Sequence, residues 1–100
     1  MIFAEMEYQK HYDDFHDELL AFIAAQFSHV QSGHQGDSYI WIGEGEEKVA
    51  IDTFTSMKHQ IKSPKPGPHV QNVIDILLLK FKVRVYDKPE FEGHEDGTAA

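Results

Sequence analysis

Two clusters of histidine and carboxylate residues carry the side chains most suited to binding a metal. The first comprises His11, Asp13, Asp14, His16 and Asp17, and the second comprises His94, Glu95 and Asp96. Imidazole nitrogens and carboxylate oxygens are common ligands of divalent metals, but neither spacing matches an established metal motif. Carboxylates in the first cluster are also explained by a helix that begins there, because negative charge stabilises a helix N-terminus. We therefore predict no metal site and no cofactor.

One stretch of the chain is locally basic. No acidic residue occurs between Asp52 and Asp75, and this stretch leads into a predicted helix N-terminus, where free amides and the helix dipole attract anions. The residues predicted to bind a small carboxylate or phosphate here are Lys58, Lys62, Lys65 and His69. The alternative is an ordinary polar loop whose prolines shape a connection. No Gly-x-x-x-x-Gly-Lys phosphate loop is present.

Residues able to act in catalysis are present, but no catalytic arrangement is recognisable. The serines Ser32, Ser38, Ser56 and Ser63 lie in no nucleophile turn. Asp52 is the one carboxylate in a strongly apolar strand, where burial would raise its pKa and suit it to proton transfer. An aspartate on the open face of a sheet, beside a lysine or arginine, is the more ordinary interpretation. The sequence favours a protein that is not an enzyme, and we assign no catalytic residue.

Hydrophobic periodicity predicts the elements that hold these residues. Period-two alternation indicates strands at about 2–9, 38–42, 48–55 and 81–86, and helical spacing indicates helices at about 13–27 and 68–80. Glycines at 43 and 45 favour a hairpin between the second and third strands. Residues 29–31 could form either a short strand or a loop, and 32–37 are predicted to form a turn. Residues 57–62 could extend the third strand past a bend or add an edge strand.

This order of elements predicts the fold class. A β-α-β-β-α-β chain is typical of an α+β domain in which an antiparallel sheet carries two helices on one face, as in ferredoxin-like domains. We expect one domain over residues 1–88, followed by a flexible acidic tail over 89–100.

Strand parity predicts different chemistry on the two faces of the sheet. With the hairpin turning at Glu44 and Gly45, aliphatic side chains fall on the face meant for the helices. The opposite face receives the aromatic residues Phe3, Tyr39, Trp41, Phe54 and Tyr86. An exposed aromatic patch is uncommon on a soluble monomer and typical of interfaces. The alternative is that the tail or the 56–68 loop covers these rings.

Composition narrows the class of partner. The chain of 100 residues has 17 Asp plus Glu against 9 Lys plus Arg and a net charge of -8. Such a charge repels phosphate backbones, so nucleic acid is a disfavoured partner. Cysteine is absent, which excludes disulfides and thiolate sites. No signal-peptide pattern and no membrane-spanning apolar run is apparent, so we expect a cytoplasmic protein without membrane contact.

Two segments carry a resemblance. Asp37-Ser38-Tyr39-Ile40-Trp41-Ile42 and Val49-Ala50-Ile51-Asp52-Thr53-Phe54-Thr55 are similar to segments of small, uncharacterised gammaproteobacterial families of about this length. The resemblance implies no activity.

Two functions are compatible with the sequence. The first is a non-catalytic protein-interaction domain, which binds a protein partner or forms a homodimer through the aromatic sheet face. The second is a binding protein or enzyme for a small anionic ligand, held at the Lys58 to His69 segment.

Overall fold

The computed structural model describes residues 1–91 and has an α+β architecture of two helices and six strands. In chain order the elements are β1 (Ile2–Glu7), α1 (Tyr12–Gln26), β2 (Val30–Gln35), β3 (Asp37–Glu44), β4 (Glu47–Asp52), β5 (Gln60–Lys62), α2 (Pro68–Leu77) and β6 (Lys82–Glu90). None of the helices within these residues is long and apolar enough to span a membrane.

The strands form one antiparallel sheet in the order β2-β3-β4-β5-β1-β6. Both helices bury their apolar stripes in a single hydrophobic cluster on one face of this sheet. Its most buried members include Leu19 and Ile23 from α1, Val73 and Leu77 from α2, and Ile40, Ile42, Val49, Ile51 and Ile61 from the sheet. The antiparallel α+β class predicted from the sequence is therefore confirmed.

The structure contains two strands, β2 and β5, that the predicted order of elements did not include. Strand β5 lies within 57–62, where a further strand was considered, whereas β2 extends from the ambiguous 29–31 segment through 32–35, and the prediction of a turn there was wrong. The chain order is β-α-β-β-β-β-α-β. A ferredoxin-like fold is not confirmed. Residues 30–35 of β2 carry little apolar alternation because this strand lies at the sheet edge and is mostly exposed.

The central hairpin has a different register from the predicted one but the same faces. The turn lies at Gly45 and Glu46, so Ile40 pairs with Ile51 and Ile42 pairs with Val49. Gly45 has a φ of 63°, a conformation that favours glycine. The pairing is shifted by two residues relative to a turn at Glu44 and Gly45. Because side chains alternate with a period of two, this shift leaves every residue on its predicted face.

A bulge in β1 changes which side chain enters the core. Ile2 pairs with Lys62 and Ala4 pairs with Ile61, which are successive residues of β5, so the register shifts between Ile2 and Ala4. Phe3 consequently lies in the core cluster on the helix-covered side, with 9% of its surface exposed. The predicted placement of Phe3 on the open face was wrong because strict alternation cannot anticipate an extra residue in a strand.

The ends of several elements also differ from expectation. His11 caps α1 by accepting a hydrogen bond from the Asp13 amide at its Nδ1, so the cap is a histidine rather than one of the aspartates. Strand β6 continues through Pro89 to Glu90, which pairs with Ile2. The first residues of the predicted tail therefore belong to the sheet, and its positions from 92 onward lie outside the described residues.

Candidate functional site

The sheet face opposite the helices carries a cluster of three aromatic rings. Tyr39 and Trp41 are i and i+2 on β3, and their ring centroids are 4.7 Å apart. Phe54 follows β4, and its ring lies 6.1 Å from that of Tyr39. Phe54 is 49% exposed, while Tyr39 and Trp41 are partly buried. We refer to Tyr39, Trp41 and Phe54 as the aromatic surface.

Neighbouring strands hold the rings of this surface in place. A Cβ on Gly33, which pairs with Tyr39, would lie 2.3 Å from the Tyr39 ring, so the absence of a side chain there lets the ring lie across β2. The ammonium group of Lys48 sits 4.2 Å from the centroid of the Trp41 ring, a cation-π contact. Beside Trp41 and Lys48 is an open cavity of about 530 Å³, which Gln31 also lines.

Tyr86 does not join the aromatic surface. It is partly buried on β6, at the opposite edge of the sheet from β2, and β4, β5 and β1 separate β6 from β3. The guanidinium of Arg84 stacks 4.8 Å from the Tyr86 ring. Of the aromatic residues predicted to share one patch, the structure thus brings together Tyr39, Trp41 and Phe54, and separates Tyr86 and Phe3 from them.

The residues predicted to bind an anion lie in different environments. Lys58 donates to the Tyr8 carbonyl and lies over its ring, with Nζ 4.4 Å from the centroid. Lys65 pairs with Glu47 at 3.0 Å. The buried His69 is 2.9 Å from the Ser63 hydroxyl through Nε2.

Lys62 is engaged in a buried ion pair. Its Nζ lies 2.5 Å from Oδ1 of Asp52, and both residues are almost fully buried on the face opposite the helices. Asp52 also accepts a hydrogen bond from the Phe54 amide at 3.2 Å. The carboxylate that the sequence singled out is therefore paired with Lys62, rather than with Lys48 or Arg84. These placements do not assemble Lys58, Lys62, Lys65 and His69 into one pocket, and anion binding by them stays a prediction.

A chain of polar side chains runs through the molecule beside the core, and sequence reasoning missed it. In order along the chain of contacts, its members are Tyr8, His59, Ser38, His16, His34 and Asp13. They come from the end of β1, the 53–59 loop, β3, α1 and β2. We refer to them as the imidazole network.

The Ser38 hydroxyl is the centre of this network. It lies 2.7 Å from Nε2 of His59 and 2.5 Å from Nδ1 of His16, and Ser38 and His59 have no exposed surface. The Tyr8 hydroxyl is 2.8 Å from Nδ1 of His59 and also accepts from the His59 amide. Donors and acceptors match when Tyr8 donates to His59, His59 to Ser38, and Ser38 to His16, which leaves both imidazoles neutral.

The outer end of the network reaches the surface. The ring of His34 stacks on that of His16 at 4.7 Å, and His34 Nε2 donates to Oδ1 of Asp13 at 2.6 Å. Asp13 is half exposed, whereas His16 is buried.

Burial sets the proton affinities in the network. Desolvation, with the nearby His16 and His34 as smaller causes, lowers the pKa of His59 to about 4. Desolvation and His34 likewise lower the pKa of His16. Burial raises the pKa of Tyr8 to about 12, although its hydrogen bond from the His59 backbone opposes the change. Both buried imidazoles are therefore neutral at pH 7.

The hydrogen bonds of the network connect separate elements of the fold, and its central hydroxyl is fully buried. Ser38 and His59 contact each other as a nucleophile and base would, but a substrate cannot touch a hydroxyl with no exposed surface. The satisfied hydrogen bonds join α1 to β3 and to the 53–59 loop that carries Phe54. A sequence signal for this role existed only in His59 and Ser38, which lie two positions before Ile61 and Ile40 and so continue the alternation of core-facing residues.

Metal binding finds no support in the arrangement of ligand residues. Within residues 1–91, no group of three or more histidine or carboxylate residues is placed to hold a metal ion. In the first sequence cluster, Asp13 instead contacts His11 and His34. The second cluster, His94, Glu95 and Asp96, lies outside the described residues.

Comparison of the chain with protein family models, curated proteins and solved structures finds no match in any of the three. A functional conclusion therefore depends on the geometry of the molecule alone.

Proposed function

We propose that this protein is a non-catalytic protein-interaction domain that binds its partner through the aromatic surface. The observation that carries this proposal is the clustering of Tyr39, Trp41 and Phe54 on the sheet face that neither helix covers, with Phe54 half exposed. Tyrosine and tryptophan are frequent interface anchors, because they combine a large apolar area with a polar group and few rotatable bonds.

The surroundings of the aromatic surface suit a protein ligand. Trp41 and Tyr39 are fixed by regular strand pairing on both sides, so binding would cost little conformational entropy. Lys48 and the exposed Gln31 lie on the same face beside Trp41 and provide polar groups around the apolar centre. A polar rim around an apolar centre is the usual composition of a specific interface.

The alternative of a small anionic ligand receives less support. Lys58 and Lys65 are engaged by Tyr8 and Glu47, and His69 is buried against Ser63. Lys65 and His69 line one open cavity of about 650 Å³, but Glu47 lines it as well. Lys58 lies elsewhere, so an anion would meet only part of the predicted set.

Site-specific photo-crosslinking in cells of the organism that naturally makes this protein tests the proposal. A photoreactive phenylalanine analogue replaces Phe54 in one variant and Leu79 in a control variant. Leu79 is 76% exposed but lies just after α2, away from the aromatic surface. We expect a discrete crosslinked adduct from position 54 and not from position 79. A residue in an interface has the same neighbour in every complex, whereas an isolated exposed side chain does not.

The same experiment can contradict the proposal. Equal yields at the two positions, or no adduct at position 54 in a variant that folds normally, would show that the aromatic surface has no partner under those conditions. Mass spectrometry of the adduct then distinguishes a second copy of the chain from a different protein.

A further inference from the structure

Within residues 1–91, no strand pairs with the outer edge of β2. It is the terminal strand of the sheet, it pairs with β3 in regular register from Val30 to Gln35, and most of its residues are exposed. Its sequence, Val-Gln-Ser-Gly-His-Gln, contains no lysine, arginine, carboxylate or proline. Natural sheets block edge pairing with such charges, with proline or with bulges, and β2 has none of these.

The opposite edge, formed by β6, has these protections. Strand β6 contains Lys82, Arg84, Asp87, Lys88, Pro89 and Glu90. Its pairing with β1 also includes the bulge between Ile2 and Ala4. The two edges therefore differ in the property that decides whether another strand can add to them.

The pairing of β2 with β3 determines which backbone groups of β2 face outward. The His29 carbonyl accepts from the Gly43 amide at 2.9 Å, so this pair is hydrogen bonded. Hydrogen-bonded and non-hydrogen-bonded pairs alternate along an antiparallel ladder. The amides and carbonyls of Val30, Ser32 and His34 consequently point away from β3, toward the free edge.

We propose that two copies of this chain associate by antiparallel pairing of β2 with β2 of the second copy, which joins the two sheets into one. The proposal goes beyond the proposed function, because it concerns the free edge of β2 rather than the aromatic surface. In the register that pairs Ser32 with Ser32, Val30 of each copy pairs with His34 of the other. All the outward-facing groups of Val30, Ser32 and His34 are then used.

This register places the aromatic surfaces of the two copies on the same face of the joined sheet. Gln31 and Gly33 share the open face with Trp41 and Tyr39, with which they pair. Across the new junction, Gly33 lies opposite Gln31 of the second copy. The Tyr39 ring, which lies across Gly33, thereby extends toward that Gln31.

The lack of charge on β2 is compatible with a second copy of this chain as the occupant. Two molecules that each carry -8 repel one another, and this repulsion is smallest where they meet at an uncharged segment such as residues 30–35. An antiparallel strand pair about a twofold axis places β2 against its own uncharged sequence, so no like charges face each other within the strand pair.

Light scattering over a wide concentration range tests the proposal with paired variants. The unaltered chain should move from 11.5 kDa toward twice that mass as its concentration rises. Ser32→Pro removes an outward amide without removing a bond to β3, so it should keep the fold and abolish the mass increase. Ser32→Ala keeps the amide and should associate like the unaltered chain.

A second variant tests the same contact in case the proline variant does not fold. Ser32→Lys places two ammonium groups opposite each other at the twofold axis and should weaken association at least tenfold, with an unchanged circular dichroism spectrum. Amide exchange at Val30, Ser32 and His34 should slow at high concentration in the unaltered chain and in Ser32→Ala alone.

The outcomes separate this proposal from the proposed function. A monomer at all concentrations, or association that survives both Ser32→Pro and Ser32→Lys, would overturn pairing through β2. A monomer that still gives a crosslink from position 54 to a different protein would overturn this proposal and support the proposed function. A dimer that is lost in Trp41→Ala but retained in Ser32→Pro would assign self-association to the aromatic surface without the edge strand.

Discussion

At the residue scale, the feature with the most testable consequences is His59. Its ring is fully buried between Tyr8 and Ser38, and burial lowers its pKa from 6.5 to about 4. An unfolded chain would bind a proton at this imidazole near pH 6.5, whereas the folded chain resists protonation until about pH 4. The folded state is therefore favoured by the neutral ring.

Acidification should accordingly destabilise the protein over a defined range. Between pH 6.5 and about 4 the unfolded state binds more protons than the native state, so the free energy of unfolding falls as the pH is lowered. His59 alone contributes a loss of roughly 3 kcal/mol, at about 1.4 kcal/mol per pH unit of difference. The buried His16 adds to the loss in the same direction. Denaturant unfolding of dilute protein at each pH, monitored by Trp41 fluorescence, measures this loss of stability.

Matched variants assign this pH dependence to the buried ring. His59→Gln should lower stability at pH 7 and flatten the slope between pH 6.5 and 4. The exposed His29 is the control, and His29→Gln should leave the slope as it is. An unchanged slope in His59→Gln would show that other groups control the acid sensitivity.

The positions of some single residues could be predicted from the sequence, and others could not. Tyr39 and Trp41 share one face as predicted, because parity along a strand is a local property. Phe54 was expected on the same face, but β4 ends at Asp52, so the turn after the strand and not strand parity places its ring beside Tyr39. The imidazole network could not be found in this way. Tyr8 and His59 are 51 positions apart, and His16 and Ser38 are 22 apart, so no spacing in the sequence connects them.

At the element scale, β4 and β5 are joined by the buried Asp52–Lys62 ion pair. The two side chains are 4% and 6% exposed and lie on a sheet face that the helices do not cover. A buried charge is tolerated when its partner remains beside it, but either group alone would be desolvated without compensation.

Removal of one partner should therefore cost more than removal of both. We expect Lys62→Met to lower the free energy of unfolding by about 3–5 kcal/mol, because Asp52 is left buried and uncompensated. Combining it with Asp52→Leu should restore much of this loss. Chemical denaturation of the single and double variants at pH 7 measures the difference.

An exposed pair supplies the control for this comparison. Lys65 and Glu47 are 63% and 33% exposed, so Lys65→Met should cost less than ~1 kcal/mol. If Lys62→Met were as mild as Lys65→Met, the Asp52–Lys62 pair would not hold β4 and β5 together.

The elements themselves were predictable to different degrees. Helices α1 and α2 and the β3–β4 hairpin have strong periodicity and were located to within a few residues. Strand β5 has only three residues, and β2 is mostly exposed, so neither gives a pattern long enough to identify a strand. The bulge in β1 reversed the placement of Phe3 for the same reason, since an inserted residue has no periodic signature.

At the scale of the whole molecule, the net charge of -8 should affect stability through like-charge repulsion. Salt screens this repulsion, so an increase from 10 to 150 mM NaCl should stabilise the protein by up to about 1 kcal/mol. For a domain of this size, that corresponds to a rise of about 4–8 °C in the melting temperature.

The isoelectric point provides the control for this effect. Near pH 5.2 the net charge is close to zero, and the same salt increase should leave the melting temperature almost unchanged. A fall in melting temperature with salt at pH 7 would mean that local ion pairs, such as Arg84 with Glu5, outweigh the net repulsion.

The sequence by itself determined the α+β class, the acidic surface, the main helices and the alternation that places Tyr39 and Trp41 together. These properties depend on composition and on neighbours a few positions apart. Only the tertiary structure decided that β1 lies between β5 and β6, that β2 has a free edge, and that Tyr8, His59, Ser38 and His16 form one network. The physical reason is that strand order and buried hydrogen bonds join residues far apart in the chain, and their geometry exists only after the sheet and the helices have packed together.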